Sequence, residues 1–223
     1  MTASRRTTMR FLITAGPTRE PLDDVRFLSN RSTGRMGYEV AAAAVRGGHR
    51  AYLVTGPVEI APPEGVQLAR VTTAMEMHRV VMERLEWADA LVMAAAVSDF
   101  RPRRRIKGKR KKHGGEDEVW VVELVRNPDI LASAGKRKGD RVHVGFAVES
   151  RDLLANARAK LGSKHADMIV ANLVSAFGAE RSTAHFLTPE GSPRVFKDRP
   201  KGEIADEIVK FCVEWHAERA GKR

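Results

Sequence analysis

The chain has 223 residues, 43% of them hydrophobic, with 39 Lys and Arg against 28 Asp and Glu, a net charge of +11. That length supports one large core, or a core with an appendage, and no stretch approaches the roughly 18 consecutive apolar residues of a membrane helix. The single cysteine, Cys212, excludes an internal disulfide and fits a cytoplasmic setting, and the seven histidines form no His/Cys cluster at zinc-like spacing.

Residues 1–9 are basic and lack an apolar segment, so they read as a disordered lead-in rather than a secretory signal, with Met9 a second candidate start. A single domain over residues 10–218 follows. Arg10–Thr14 is predicted as a short buried strand. Gly34–Val45 is an Ala-rich helix stopped by Gly47-Gly48. Arg50–Val54 is a second strand, and Thr73–Leu85 has helical spacing. Ala90–Ala95 is an apolar run suited to a strand covered on both faces. Arg101–Gly115 is basic, contains glycine, and is expected not to pack. Glu118–Leu124 is β-branched and predicted as a strand. Asn127-Pro128-Asp129-Ile130 has the form of a helix start, Asn127 as N-cap and Pro128 at the first helical position. His143–Phe146 and Met168–Ala171 are buried strands separated by a helix over Arg151–Leu161. Phe186–Thr188 and Arg194–Phe196 flank the turn Pro189-Glu190-Gly191 as a hairpin. Lys201–Ala217 is a closing amphipathic helix with Ile204, Ile208, Phe211 and Trp215 on one face.

Strands alternating with helices imply an α/β fold: a three-layer, mostly parallel Rossmann-like sheet with helices on both faces and a basic flap loop. Ligands in such sheets sit beyond the C-terminal strand ends. The loops Ala15–Ser32, Ala94–Lys112, Ala147–Glu149 and Asn172–Phe177 all follow strands, so they should gather at one edge.

The stretch from Ala15 to Gly37 carries the most chemistry. A strand ending in a small-residue loop that opens a helix is the chain geometry of a phosphate site, because glycine admits the anion and the helix N-terminus offers N–H groups. It is not a dinucleotide fingerprint: G-x-G-x-x-G is missing, and about twenty residues separate strand from helix. A loop that long, carrying Arg19, Asn30, Ser32 and Arg35, suits holding a substrate as well as covering a phosphate. Nine of the twelve residues from Arg101 to Lys112 are Arg or Lys. Such a run is one basic loop, a solvated tract or a nucleic-acid patch. Asn30 alone fits an Asx-turn ahead of Gly34. Lys160 and Lys164, at i and i+4, share a helix face that is ordinarily solvated. Phe146 and Cys212 fit core positions.

Several segments occur together and in order: Ile13–Pro21, Ser29–Gly37, Ala94–Phe100, Lys109–Lys112, Asn127–Ile130 and Val144–Glu149. In these the chain, over roughly residues 10–215, resembles phosphopantothenate–cysteine ligase of the bacterial CTP-dependent kind. That domain is often fused behind a flavin-dependent decarboxylase; none is visible here, so the ligase is expected to stand alone, with a separate phosphopantothenoylcysteine decarboxylase as a partner. The resemblance implies that a pantothenate carboxylate attacks the α-phosphate of CTP, giving an acyl-cytidylate and pyrophosphate, and that the cysteine amine then displaces CMP. It implies catalytic roles for Lys109, over the triphosphate, and for Asn30, at the acyl carbonyl in the second half-reaction. It implies nucleotide binding by Gly16, Ala95, Asp99, Lys109, Asn127, Pro128, Asp129, Ile130, Phe146, Lys160 and Lys164. A carboxylate at Asp99 suits ribose hydroxyls or a metal. Substrate binding falls to Arg19, Asn30, Ser32 and Arg35. Mg²⁺ is the expected cofactor, although no compact carboxylate cluster marks its ligands. 4'-Phosphopantothenate, L-cysteine and CTP are the small-molecule partners, and a homodimer whose sites borrow elements from the partner is implied.

Phe177–Ser182 departs from the family pattern: it is compressed and carries Ser182 where asparagine is common. Three rivals stand beside this reading. An NAD(P)-dependent reductase lacks its glycine fingerprint and its Tyr-x-x-x-Lys pair, since the only tyrosines are Tyr38 and Tyr52. A nucleic-acid binder using Arg101–Lys112 leaves the Ala15–Gly37 loop without a purpose. An ATP-dependent variant keeps the chemistry and changes the base.

Overall fold

The first strand, β1 (Arg10–Ala15), shows why the sheet is covered on both faces. Phe11, Ile13 and Ala15 enter one apolar cluster and Leu12 enters another, all with no measurable exposure. Such alternation between two buried faces is what a continuous apolar run produces in a parallel sheet. A computed structural model describes residues 8–112, 115, 118–174 and 178–221. Residues 1–7 of the expected lead-in, 113–114 in the basic tract and 175–177 in the loop after Asn172 lie outside the described residues.

Among the described residues an eight-stranded sheet runs β12-β11-β10-β9-β6-β1-β4-β5. Its parallel part is β1, β4 (Arg50–Thr55), β5 (Gln67–Arg70), β6 (Ala90–Met93), β9 (Val142–Glu149) and β10 (Met168–Leu173). The hairpin β11 (Arg181–Leu187) and β12 (Arg194–Pro200) closes one edge antiparallel. On one face lie α1 (Arg35–Arg46) and α5 (Lys201–Gly221), burying Tyr38, Val40, Ile204 and Ile208. On the other lie α2 (Ala74–Arg84), α3 (Ile130–Gly135) and α4 (Leu153–Ser163), burying Met77, Val81, Leu131 and Leu161. Cys212 is fully buried on α5, and burial pushes its thiol upward, in keeping with a core role.

Several expectations are corrected. Ordered packing begins before residue 10, because Met9 is buried and its N–H donates to His49 Nδ1 at 3.2 Å. The strand expected over Glu118–Leu124 is instead β8 (Leu124–Arg126), paired antiparallel with β7 (Phe100–Pro102). The α3 N-cap is Asp129, whose Oδ1 accepts from the Ala132 N–H at 2.8 Å, rather than Asn127. Asn127 is engaged elsewhere: its Nδ2 donates to Ser98 O at 2.8 Å. A small ribbon inside the long first loop, β2 (Arg19–Pro21) with β3 (Phe27–Ser29), was not signalled by periodicity.

Two glycines fix the entry to α1. Gly34 adopts φ +80°, and a Cβ there would lie 3.1 Å from the Gly16 nitrogen. At Gly37 a Cβ would fall 2.5 Å from Ala15 Cβ and 2.6 Å from Thr14 O, so α1 rests directly on the end of β1. Gly37→Ala gains up to about 1 kcal/mol of helix propensity but overpacks backbone against backbone, at a cost of about 1–3 kcal/mol. The expected outcome is net destabilisation, seen as a lower urea midpoint with an unchanged slope; an unchanged or raised midpoint would show that α1 can shift away.

Candidate functional site

Strand order reverses at β1: the chain runs outward through β4 and β5, then returns to β6 on the other side. The crevice beyond the C-terminal ends of β1 and β6 is therefore the topological switch point, where open α/β sheets bind ligands. Four hydrogen bonds knit the two strand-end loops. Thr14 Oγ1 accepts from Ala95 N–H at 3.1 Å, Gly16 O from Ala96 N–H at 2.9 Å, and Thr18 Oγ1 from Ser98 N–H at 3.0 Å. The Thr18 N–H donates to Ala96 O at 3.3 Å.

Two cavities open from this crevice. The first, about 440 Å³, is walled by Ser98, Asp99, Arg126, Asn127–Leu131, Phe146 and Lys160. The second, about 420 Å³, is walled by Asn30, Ser32–Met36, Asn172 and Lys201. They share Ala95, Val97, Asp99, Phe146 and Lys160. Both volumes fall in the ordinary range for small-molecule sites.

The shared wall is electrostatically organised. Lys160 Nζ donates to Phe146 O at 2.6 Å. Burial pushes its ammonium below the ordinary lysine value, with Asp129 and Asp99 acting in the opposite sense. Lys164 is committed to Asp129 at 2.8 Å. Burial alone would raise the Asp129 carboxyl, but the Lys164 bond and the Ala132 N–H bring it below the usual carboxylate range. Across the crevice, Asn30 Nδ2 donates to Ala96 O at 3.0 Å, and both residues line the second cavity.

The basic tract is packed, contrary to expectation. Arg105 bonds Asp24 Oδ1 at 2.8 Å, the Gly108 N–H donates to Asp24 Oδ2 at 3.0 Å, and the Arg110 N–H donates to Asp23 Oδ2 at 3.1 Å. Arg110 also pairs with Glu118 at 2.8 Å and lies 4.8 Å from the Trp120 ring centroid. Burial alone would raise the Asp23 carboxyl; the N–H groups of Val25, Arg26 and Arg110, with the Arg26 guanidinium, hold it at about 2. Because that value is depressed, the anchoring contribution is present above the ordinary carboxylate value and is lost only as pH falls through about 2.

Of the residues singled out in the sequence, Ala95, Asp99, Asn127, Pro128, Asp129, Ile130, Phe146 and Lys160 line the first cavity, and Asn30, Ser32 and Arg35 the second. Four lie off the walls. Gly16 acts through its backbone and its φ of +74°. Lys164 acts through Asp129. Arg19 stacks over Phe27, 4.6 Å from its centroid. Lys109 is exposed and borders neither cavity. Sequence reasoning missed Thr14, Thr18, Arg101, Asn172 and Lys201. Arg101 donates to Asn127 Oδ1 at 3.1 Å and so helps to fix the wall. Lys201 did leave a signal: a cation opening a helix, where the dipole disfavours it. Among the described residues no group of three or more His, Cys, Asp or Glu side chains could hold a metal ion.

Comparison with known proteins fits this geometry. The family model described as "DNA/pantothenate metabolism flavoprotein C-terminal domain" matches residues 7–215. The coenzyme A biosynthesis bifunctional protein CoaBC of Bacillus subtilis strain 168 is 39% identical over 204 residues, covering 89% of this chain and 50% of that protein. The CoaBC of Escherichia coli K12 is 37% identical over 209 residues, covering 90% of this chain and 52% of that protein. The chain thus spans about half the length of the curated relatives it matches. The crystal structure of the C-terminal domain of a CoaBC protein superposes with a TM-score of 0.82 at 34% identity, covering 96% of this chain and 100% of that one.

The Asp23 contacts give a test of the loop's attachment. Asp23→Ala removes acceptors for three backbone N–H groups and one guanidinium. A loss equivalent to one or two hydrogen bonds shifts a local opening equilibrium by about tenfold. Trypsin should therefore cut within residues 103–112 about tenfold faster in the variant at neutral pH. An unchanged cleavage rate would show that Asp24 and the Trp120 stack hold the loop alone.

Proposed function

The chain belongs to the family of the DNA/pantothenate metabolism flavoprotein C-terminal domain, and from that membership we propose that it is a CTP-dependent ligase joining 4'-phosphopantothenate to L-cysteine in coenzyme A biosynthesis. The observation that carries the reading is the pair of cavities with a common wall, because the chemistry needs two anions brought end to end. Their repulsion must be offset by cations and N–H dipoles at the point of contact. The nucleotide occupies the first cavity and the pantothenate moiety the second, so the substrate carboxylate meets the α-phosphate beside Lys160. Carboxylate oxygen attacks phosphorus, and pyrophosphate leaves with the displaced P–O bond pair. The cysteine amine then attacks the acyl carbonyl near Asn30, whose amide can donate to the developing oxyanion, and CMP departs as the amide forms.

Asn127–Ile130 and Phe146, which line the first cavity, supply its base and ribose end. Asp99, on the common wall, is the carboxylate available to a magnesium ion carried mainly on the triphosphate, where the ion would neutralise phosphate charge. Lys109 serves the triphosphate after the basic loop exchanges its Asp23 and Asp24 contacts for phosphate. Such closure excludes water from a hydrolysable acyl-nucleotide. A homodimer is supported by the exposed apolar side chains Val25, Phe27, Phe100, Val119, Val121 and Leu124 on and between the two small ribbons. Loop packing of this kind also fits sites that borrow elements from a partner.

The reading is tested by pyrophosphate release with 4'-phosphopantothenate and Mg²⁺, comparing CTP with ATP. CTP-dependent release, followed by CMP and amide once L-cysteine is added, is the expected result. Release with ATP alone would keep the reaction and overturn the base site; no release with either would leave the fold alone. Lys109→Gln should lower release by at least about 100-fold, and Asn30→Asp should accumulate acyl-cytidylate while amide formation slows by about 100-fold, the scale of one lost transition-state donor. In size-exclusion chromatography with light scattering, Val121→Glu should convert a dimer into monomers; an unchanged mass would place the interface elsewhere.

A further inference from the structure

We propose that Arg101 is a positioning residue for the nucleotide: it locks the side-chain amide of Asn127 in one orientation on the wall of the first cavity. This rests on the ligase reading above. Asn127 lines that cavity, whereas Arg101 lines neither. Arg101 sits on β7, opposite Val125 of β8. Its Nη1 donates to Arg126 O at 2.6 Å and to Asn127 Oδ1 at 3.1 Å. One guanidinium nitrogen thus holds the last residue of β8 and the first residue of the segment that leads into α3.

The chemistry of the partners fixes the amide. The Asn127 N–H donates to Asp99 O at 2.8 Å, its Nδ2 donates to Ser98 O at 2.8 Å, and its Oδ1 accepts from Arg101. A guanidinium only donates and a backbone carbonyl only accepts. Exchanging the amide oxygen and nitrogen would set donor against donor and acceptor against acceptor, and leave all four groups unpaired. The backbone is restrained as well, because Pro128 follows and the residue before a proline is biased to extended conformations. Rotation of the side chain is the freedom that remains, and Arg101 removes it. Without Arg101 the amide would keep the single bond to Ser98 O, which permits rotation about its own axis.

That orientation matters to a ligand. Engaged by Ser98 and Arg101, the amide retains one N–H and one lone pair. A nucleoside that reaches it meets a donor and an acceptor in a fixed order. An amide free to rotate would have to be ordered on binding, which lowers affinity. The rest of the segment has supports of its own: Asp129 accepts from the Ala132 N–H at 2.8 Å and pairs with Lys164 at 2.8 Å. Loss of Arg101 therefore acts on Asn127 and leaves α3 in place.

The experiment is a double-mutant cycle on wild type, Arg101→Met, Asn127→Ala and the double variant, with Arg101→Lys as the conservative change. Calorimetric binding of CTP with Mg²⁺ is measured alongside steady-state rates, and thermal melting verifies that each variant is folded. Loss of one charge-assisted contact should raise the Kd and KM for CTP about 10-fold in Arg101→Met. The change should fall on KM far more than on kcat and leave the KM for 4'-phosphopantothenate in place. Arg101→Lys, able to keep one of the two bonds, should lose only about threefold, and it carries the test should Arg101→Met fail to fold. In the Asn127→Ala background the Arg101 change should cost nothing more, because the group it positions is gone. A folded Arg101→Met variant that binds CTP as tightly as wild type, that raises the KM of both substrates alike, or that adds its full penalty to Asn127→Ala overturns the assignment of Arg101 and leaves the ligase standing. A wild-type protein that binds no CTP overturns the CTP-dependent reading and this assignment with it.

Discussion

The site depends on one constraint: beyond the ends of β1 and β6 the sheet ladder stops, yet the backbone there stays largely enclosed. Enclosed N–H groups must find acceptors or cost about as much as a lost hydrogen bond. Thr14 and Thr18, both fully buried, solve this with their hydroxyls, accepting from Ala95 and Ser98. Everything that faces the crevice hangs from this seam. Ser29 donates to Thr18 O and Asn30 to Ala96 O, which sets the α1 approach from one side. Asn127 donates to Ser98 O and fixes the other. Two cavities with a common wall follow from a seam that has a loop attached to each flank.

The charge of the chain is organised on the same plan. The basic tract from Arg101 to Lys112 accounts for much of the net +11, yet its members are distributed over local acids: Arg103 with Glu123, Arg105 with Asp24, Arg110 with Glu118. The first two pairs are exposed and contribute roughly 0–1 kcal/mol each, so the tract is held by such weak contacts, the more enclosed Arg110–Glu118 pair and one well-hydrogen-bonded carboxylate, Asp23. A polyphosphate offers the same cations stronger, charge-assisted partners. A loop tethered in this manner is ordered without ligand and can still exchange partners, which a loop held by buried apolar contacts could not do as cheaply.

Much of the fold was legible because the parallel strands are buried on both faces, and burial leaves apolar runs such as Ala90–Met93 and Met168–Ala171. What was not legible lacks such a signature. The ribbons β2–β3 and β7–β8 have strands of three residues, set by contacts across the fold rather than by local pattern. β5 is an edge strand with half-exposed residues and no clean alternation. The α3 cap was misplaced by two residues because Asn127 and Asp129 are both good caps in isolation, and only the position of Ser98 decides which is free to act. In the site, motif residues on strand-end loops line the cavities, while Lys109 does not, since its loop answers to Asp23 and Asp24 in a segment the motif does not include.

The structure also separates two residues to which resemblance gives one role. Lys160 and Lys164 stand at i and i+4, but Lys164 is bound to Asp129, and Asp129 in turn caps α3. Its charge is spent on holding the Asn127–Ile130 segment against α4, and it borders neither cavity. Among the described residues the hydrogen bond shown for the Lys160 ammonium is to a backbone carbonyl, Phe146 O, on the wall that both cavities share. A carbonyl satisfies one of three ammonium donors, and partial burial leaves the charge poorly compensated. An anion arriving at that wall therefore gains more from Lys160 than from Lys164, and the gain is largest for atoms that lie between the two cavities. One lysine shapes the wall of the first cavity, and the other stands where the two cavities meet.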